Sequence, residues 1–208
     1  MEKISIKENF KTRIDEIWNN RMFENIDFLN RGYAVQDEII VNSILFIGIN
    51  PSFTGKYLEN TKSDFYHNEQ EGEVYSYFKK FQDISKKTGI AWSHLDLLYV
   101  RETKQKNVEN IFSNENGKLF ITKQLELSKT IIEQSKPKVI VVSNTFARRL
   151  FNIDFEVEFD ENIGTYKIQN EELKNTPVFF TSMLTGQRAM DLGSYERLVW
   201  HIKEVLRK

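Results

Sequence analysis

The sequence predicts an α/β fold: a three-layer α/β/α sandwich on a central, mostly parallel four-stranded sheet. Two observations carry this. Short apolar runs bounded by turn residues recur at Ile44 to Ile49, Leu95 to Val100, Val139 to Val142 and Val178 to Thr181, the pattern of strands buried on both faces. Between them lie segments whose apolar residues repeat at helical spacing, so strands and helices alternate. With 208 residues, 40% of them hydrophobic, the chain predicts one domain over 1–208 that can bury a sizeable core.

Taken in order, Phe10, Ile14, Ile17 and Trp18 predict an amphipathic helix over 8–30, ending before Arg31-Gly32. The first strand, 44–49, is bounded by Asn42-Ser43 and Asn50-Pro51. Residues 52–74 are polar with scattered aromatics and no steady period, and a loop that long inside a domain usually serves function. Tyr75 to Lys86 reads as helix, and Leu95 to Val100 as the second strand. A helix carrying Leu119, Leu125, Leu127, Ile131 and Ile132 runs to Lys136-Pro137, where the third strand follows. Ser143-Asn144-Thr145 caps another helix. Strict alternation from Phe151 to Phe159, with Tyr166 to Ile168, predicts a half-exposed hairpin inserted over about 151–172. After the fourth strand and a loop over 182–193, Ser194 caps a last helix whose Leu198, Ile202, Val205 and Leu206 face inward.

Composition excludes several chemistries. Zero cysteines remove disulfides, thiolate metal sites and cysteine nucleophiles. His94 and His201 have no partner at ligand spacing, so no metal and no cofactor are expected. Lys and Arg number 29 against 30 Asp and Glu, so no global basic field draws the chain to nucleic acid. Asp154 to Glu172 holds seven acids and one Lys, which leaves a net +5 on the remainder. The start lacks a leader-like apolar core and no membrane-length apolar run occurs, which predicts a cytoplasmic monomer with no membrane partner.

Open α/β sheets hold ligands beyond the carboxyl ends of their strands, so the informative loops begin at Asn50, Arg101, Ser143 and Ser182. In Gly48-Ile49-Asn50-Pro51-Ser52, Gly permits close backbone approach and Pro fixes the turn that holds Asn50 at the sheet edge; an ordinary strand-ending turn has the same composition. Thr54-Gly55-Lys56-Tyr57 is not a phosphate loop, because Asn50 and Tyr57 occupy positions that need Gly and Ser or Thr.

Ile47-Gly48-Ile49-Asn50-Pro51-Ser52 resembles the first motif of the uracil-DNA glycosylase superfamily, nearest in form to the Gly-Ile-Asn-Pro-Gly of its mismatch-specific branch. Leu95 to Arg101 sits where several members carry a Thr-Asn-Val-Val-Lys-Cys-Arg-type strand. Lys136 to Leu150 is similar to the strand and helix before the second motif, and Thr181 to Arg188 falls where that motif belongs. The ordered set spans roughly 40–205. It implies a uracil-DNA glycosylase-like fold and hydrolysis of the bond between deoxyribose and a damaged or mismatched base turned out of the helix.

By that resemblance, Asn50 is the catalytic residue and holds the attacking water through its side-chain carbonyl. Gly48, Ile49, Pro51, Phe65 and Asp96 would contact the base, with Phe65 chosen to stack on it from Phe53, Phe65, Tyr66 and His67, which sequence does not rank. Ser182, Met183, Leu184, Thr185, Gly186, Arg188 and Ser194 would contact DNA, Met183 and Leu184 as a wedge unless they fill the core, Arg188 and the helix N-terminus at a phosphate. DNA binding should be weak and salt-dependent. Two departures stand out. Thr181-Ser182-Met183-Leu184-Thr185-Gly186 carries no histidine where members have His-Pro-Ser or Asn-Pro-Ser, and Asp96 replaces the Asn that reads the pyrimidine edge. An ionised carboxylate only accepts, favouring an exocyclic amine over a carbonyl, unless Asp96 instead pairs with Arg101 or Lys104. Two functions follow: a base glycosylase, or a catalytically silent member that binds nucleic acid or a nucleotide.

Overall fold

The computed structural model describes residues 1–53, 63–67, 72–186 and 189–207. Strand β1 (Lys3–Ser5) runs straight into helix α1 (Ile6–Trp18), because the Ser5 hydroxyl accepts the Glu8 amide and donates to Asp37 Oδ1. Ile6, Phe10, Ile14 and Ile17 form its buried stripe. The helix stops well short of the predicted residue 30. Asn20 caps a separate 3₁₀ turn at Arg21–Phe23, and Phe28 takes a left-handed conformation before a second turn at Leu29–Arg31.

Strands β2 (Ala34–Gln36), β3 (Glu38–Ile40), β4 (Ile44–Gly48) and β5 (Asp64–Tyr66) follow, then helix α2 (Lys79–Thr88) and strand β6 (Trp92–Asp96). Helices α3 (Gln105–Ile111) and α4 (Glu115–Ser135) lead to β7 (Val139–Ser143) and α5 (Thr145–Asp154). The chain closes with β8 (Val157–Asp160), β9 (Thr165–Ile168), β10 (Pro177–Thr181) and α6 (Leu192–Arg207). The described strands build a sheet ordered β6-β4-β7-β10-β9-β8, parallel from β6 to β10 and antiparallel beyond. Two small pairs lie apart from it, β1 with β3 and β2 with β5.

The sheet therefore has six strands where four were expected. The hairpin is not a free insertion: β9 pairs with β10 and extends the sheet. The alternation beginning at Phe151 misled, since α5 continues to Asp154 and only β8 and β9 are extended; Phe151 instead stacks on Phe155 at 4.6 Å. Strand β6 also starts earlier than predicted and ends at Asp96. Leu97 to Val100 leave the sheet, with the Tyr99 amide donating to Gln124 Oε1 and Val100 bridging to Tyr33.

Alternation along each parallel strand sends side chains to two apolar layers. Leu45, Ile47, Leu95, Ile140 and Val142 pack with α1, α4 and α5, whereas Ile44, Phe46, Trp92, Val139 and Val141 pack with α2 and α6. Helices thus cover both faces. Among the described residues no helix is long and apolar enough to cross a membrane.

Candidate functional site

The carboxyl ends of β4, β6, β7 and β10 open onto a cavity of about 780 Å³. Gly48, Ile49, Asn50, Pro51, Asp96, Met183, Leu184, Thr185 and Gly186 all line it, so loops distant in sequence meet in one cleft as the strand–helix alternation requires. A separate depression of about 630 Å³ beside α1 is lined by Asp15, Glu24 and Asp27, away from those loops.

Asn50 is anchored through its amide nitrogen. Nδ2 donates to the carbonyls of Pro51, Val100 and Glu102 at 3.0, 3.1 and 2.7 Å. A ring of acceptors fixes which end is nitrogen, because the side-chain oxygen has nothing to donate. Oδ1 receives no hydrogen bond from the described residues, which leaves it as an oriented acceptor. The supporting segment is itself zipped to β4: Leu97, Leu98 and Glu102 amides donate to the carbonyls of Gly48, Ile49 and Pro51. Glu102 is buried, pairs with Arg31 at 2.7 Å and accepts the Lys104 amide, and these bonds hold its carboxyl below the usual range despite burial. Arg31 also lies over the rings of Phe28 and Phe53.

The floor of the cleft is a feature that the sequence reading missed. Trp92, His94 and Asp96 share one face of β6 by the period of two, which places His94 inside the strand and not before it. His94 is enclosed by the rings of Tyr77, Phe78 and Phe81. Neither ring nitrogen has a hydrogen-bond partner among the described residues, and Nε2 lies 3.6 Å from Asp96 Oδ1. Burial drives both groups toward their neutral forms, the imidazole down to about 3 and the carboxyl up to about 7. Asp96 thus approaches His94, not Arg101 or Lys104. The register signal was present, since residues two apart in a strand face the same way.

Gly48 makes room for this pair. A Cβ there would stand 2.1 Å from Asp96 Oδ1 and 3.1 Å from His94 Nε2. Gly48→Ala is therefore expected to rotate the Asp96 carboxyl out of the floor, with a stability loss of about 1–3 kcal/mol from overpacking. Thermal melting checks the loss, and a crystal structure of the variant with Asp96 unmoved would contradict the displacement.

Several expected contacts fall elsewhere. Phe65 does not line the cleft: on β5 it packs into the core with its ring edge-on to Tyr33, whereas Asp64 and Tyr66 on either side line the cavity. The aromatics at the cleft are Tyr66, Tyr75, Tyr77, Phe78 and Phe81, of which Tyr75 is 76% exposed. Leu184 is buried in the core against the α2 and α6 layer, so it is no wedge; Met183 is half-buried. Ser182 is exposed and does not line the cavity. Ser194 does not cap α6. Asp191 does, accepting the Ser194 amide at 2.9 Å and its hydroxyl at 2.6 Å, and that carboxylate repels a phosphate from this helix N-terminus. Arg188 lies outside the described residues, as does the Thr54 to Tyr57 stretch.

Ser143 and Asn144, at the end of β7, complete the wall. Asn144 caps α5 by accepting the Phe146 amide, and the buried Ser143 hydroxyl has no partner among the described residues. No group of three or more His, Cys, Asp or Glu among the described residues could hold a metal ion. The site is an aromatic-walled cleft with Asn50 Oδ1 as an oriented acceptor, above a floor where burial shifts His94 and Asp96 toward their neutral forms. No protein-family model matches this chain, and no curated protein matches it.

Proposed function

We propose that this protein is a DNA base glycosylase of uracil-DNA glycosylase-like fold, hydrolysing the N-glycosidic bond of a base extruded into the cleft. The observation that carries the reading is Asn50: three backbone carbonyls tie down its amide nitrogen and leave its oxygen as an oriented acceptor at the sheet edge. Such an acceptor positions a water without taking its proton. As the bond breaks, the electron pair leaves with the base, the water oxygen bonds to the sugar carbon, and the released proton passes to the base or solvent. An Asp96 held as the neutral acid suits the departing anion, since it offers a donor where charge develops.

A catalytically silent member that binds nucleic acid or a nucleotide in the same cleft is the second reading. The loop from Thr181 to Gly186 favours it, because no histidine stands there to assist the leaving base. The discriminating experiment incubates the protein with labelled duplex and single-stranded oligonucleotides, each carrying one damaged or mismatched base, and then cleaves abasic sites with alkali. Strand scission supports the glycosylase. Binding without scission supports the silent reading, and absence of both ends the nucleic-acid assignment. Binding should be weak and weaken further with salt, since the +5 carried outside 154–172 can neutralise a few phosphates only. Affinity unchanged between low and moderate salt would contradict it.

Asp96→Asn is expected to raise recognition of uracil relative to the wild type at pH 8, where Asp96 is largely a carboxylate. One good base contact is worth about 1–3 kcal/mol of discrimination. Equal uracil affinity in variant and wild type at that pH would remove Asp96 from base reading.

A further inference from the structure

His94 is a buried histidine with unpartnered ring nitrogens that lines the cleft floor beside Asp96, and the mechanism above does not use it. It is only 2% exposed, and the polar group its ring faces is Asp96. The two side chains lie side by side over the bare Cα of Gly48, Nε2 toward Oδ1 at 3.6 Å. The remaining neighbours of the imidazole are rings, which accept no conventional hydrogen bond.

We propose that His94 is a positioning residue that fixes which hydrogen-bonding face Asp96 turns to a ligand, so that the floor selects a planar heterocycle presenting a carbonyl oxygen. This rests on reading the cleft as a base pocket. A neutral imidazole carries one N–H, and a buried N–H without an acceptor is harder to accommodate than a bare ring nitrogen. Asp96 Oδ1 is the nearest acceptor, at 3.6 Å too far for a formed hydrogen bond but close enough to attract the N–H, so the hydrogen sits on Nε2 and Nδ1 stays bare among the rings. With that donor facing Oδ1, the proton of the neutral acid goes to Oδ2. Asp96 then presents an O–H, the donor that an amide would supply, and a ligand carbonyl receives it.

Loss of that proton reverses the preference, because a carboxylate only accepts and favours an amino group. The titratable groups facing Asp96 are His94 on its own strand, Tyr66 of β5, Tyr77 before α2 and Tyr99 after β6. Burial keeps all three phenols protonated, and Asp64, Arg101 and Glu102 also line the cleft. The preference follows Asp96 itself.

The test uses free uracil and free cytosine as probes, titrated into the whole protein at pH 6 and pH 8.5, together with ring-nitrogen NMR of histidine-labelled protein. Wild type should favour uracil by about tenfold at pH 6, the effect of one good base contact, and lose or reverse that preference at pH 8.5. His94→Phe, which keeps a ring in the aromatic box, should bring the pH 6 ratio close to one. The NMR spectrum of the wild type, which needs no variant, should show His94 neutral with its hydrogen on Nε2 at both pH values. A hydrogen on Nδ1, an imidazolium at pH 6, or an unchanged ratio in His94→Phe would overturn the inference while leaving the base pocket standing. If neither base binds the wild type and the oligonucleotides are neither bound nor cut, the pocket reading falls and takes this one with it.

Discussion

Asn50→Asp is expected to lower the melting temperature by about 6 °C and to abolish ligand binding in the cleft. The amide nitrogen of Asn50 is the common donor to the carbonyls of Pro51, Val100 and Glu102. A carboxylate has no hydrogen to give them and sets negative charge against three oxygens. The Pro51 carbonyl keeps the Glu102 amide, so two carbonyls are left without a donor, each at a cost on the order of 1 kcal/mol, about 2 kcal/mol together. For a chain of this length that corresponds to about 4–8 °C. The catalytic motif considered alone argues the other way, since a carboxylate could take the proton of the attacking water. The carbonyl cage decides between them: this position is built for an amide. Asn50→Ala, which removes the donor without adding charge, should melt between the two. An Asn50→Asp protein melting within about 2 °C of the wild type would show that the amide does not hold the loop.

His94→Phe should gain stability relative to the wild type as the pH falls from 7 to 4, and Asp96→Asn should lose it between about pH 6.5 and 4. The folded carboxyl of Asp96 is raised from 3.8 to about 7, so its contribution is greatest at low pH and is lost as the pH rises through 7. The folded imidazole of His94 is depressed from 6.5 to about 3, so its contribution is present above 6.5 and is lost as the pH falls toward 3. In the wild type the two cancel between about pH 4 and 6.5. There the unfolded pair holds one proton, on the imidazole, and the folded pair also holds one, on the carboxyl. Removing either partner exposes the slope of the other, about 1.4 kcal/mol per pH unit. Over the roughly 2.5 units from pH 6.5 to 4 this amounts to about 3 kcal/mol for His94→Phe relative to the wild type. Urea denaturation at intervals across that range, compared with the wild type so that other carboxylates cancel, measures it. Slopes of the same sign in both variants would show that the pair is not neutral when folded.

The sequence by itself determined the parallel core. Apolar runs at 44–49, 139–142 and 178–181 have few polar atoms to solvate, so they can only be interior strands, and the helices between them force parallel connections. The same alternation placed Asn50, Asp96 and the loop from Ser182 to Arg188 at one edge; the cleft holds Asn50, Asp96 and Met183 to Gly186 of that loop, whereas Ser182 does not line it. What only the tertiary structure decided depends on contacts between residues far apart in the chain. The pairing of β9 with β10 turns a hairpin that reads as half-exposed into part of the sheet. Phe65 faces the core because β5 pairs with β2 in a register that local sequence does not encode. Asp191 takes the helix cap from Ser194 because the chain bends one turn earlier. The alignment of Gly48 with Asp96 across β4 and β6 brings a missing side chain opposite a buried acid, with His94 two residues behind it. Burial then shifts both groups toward their neutral forms. Periodicity shows which way a side chain points, but the charge it carries there depends on how much water its neighbours exclude.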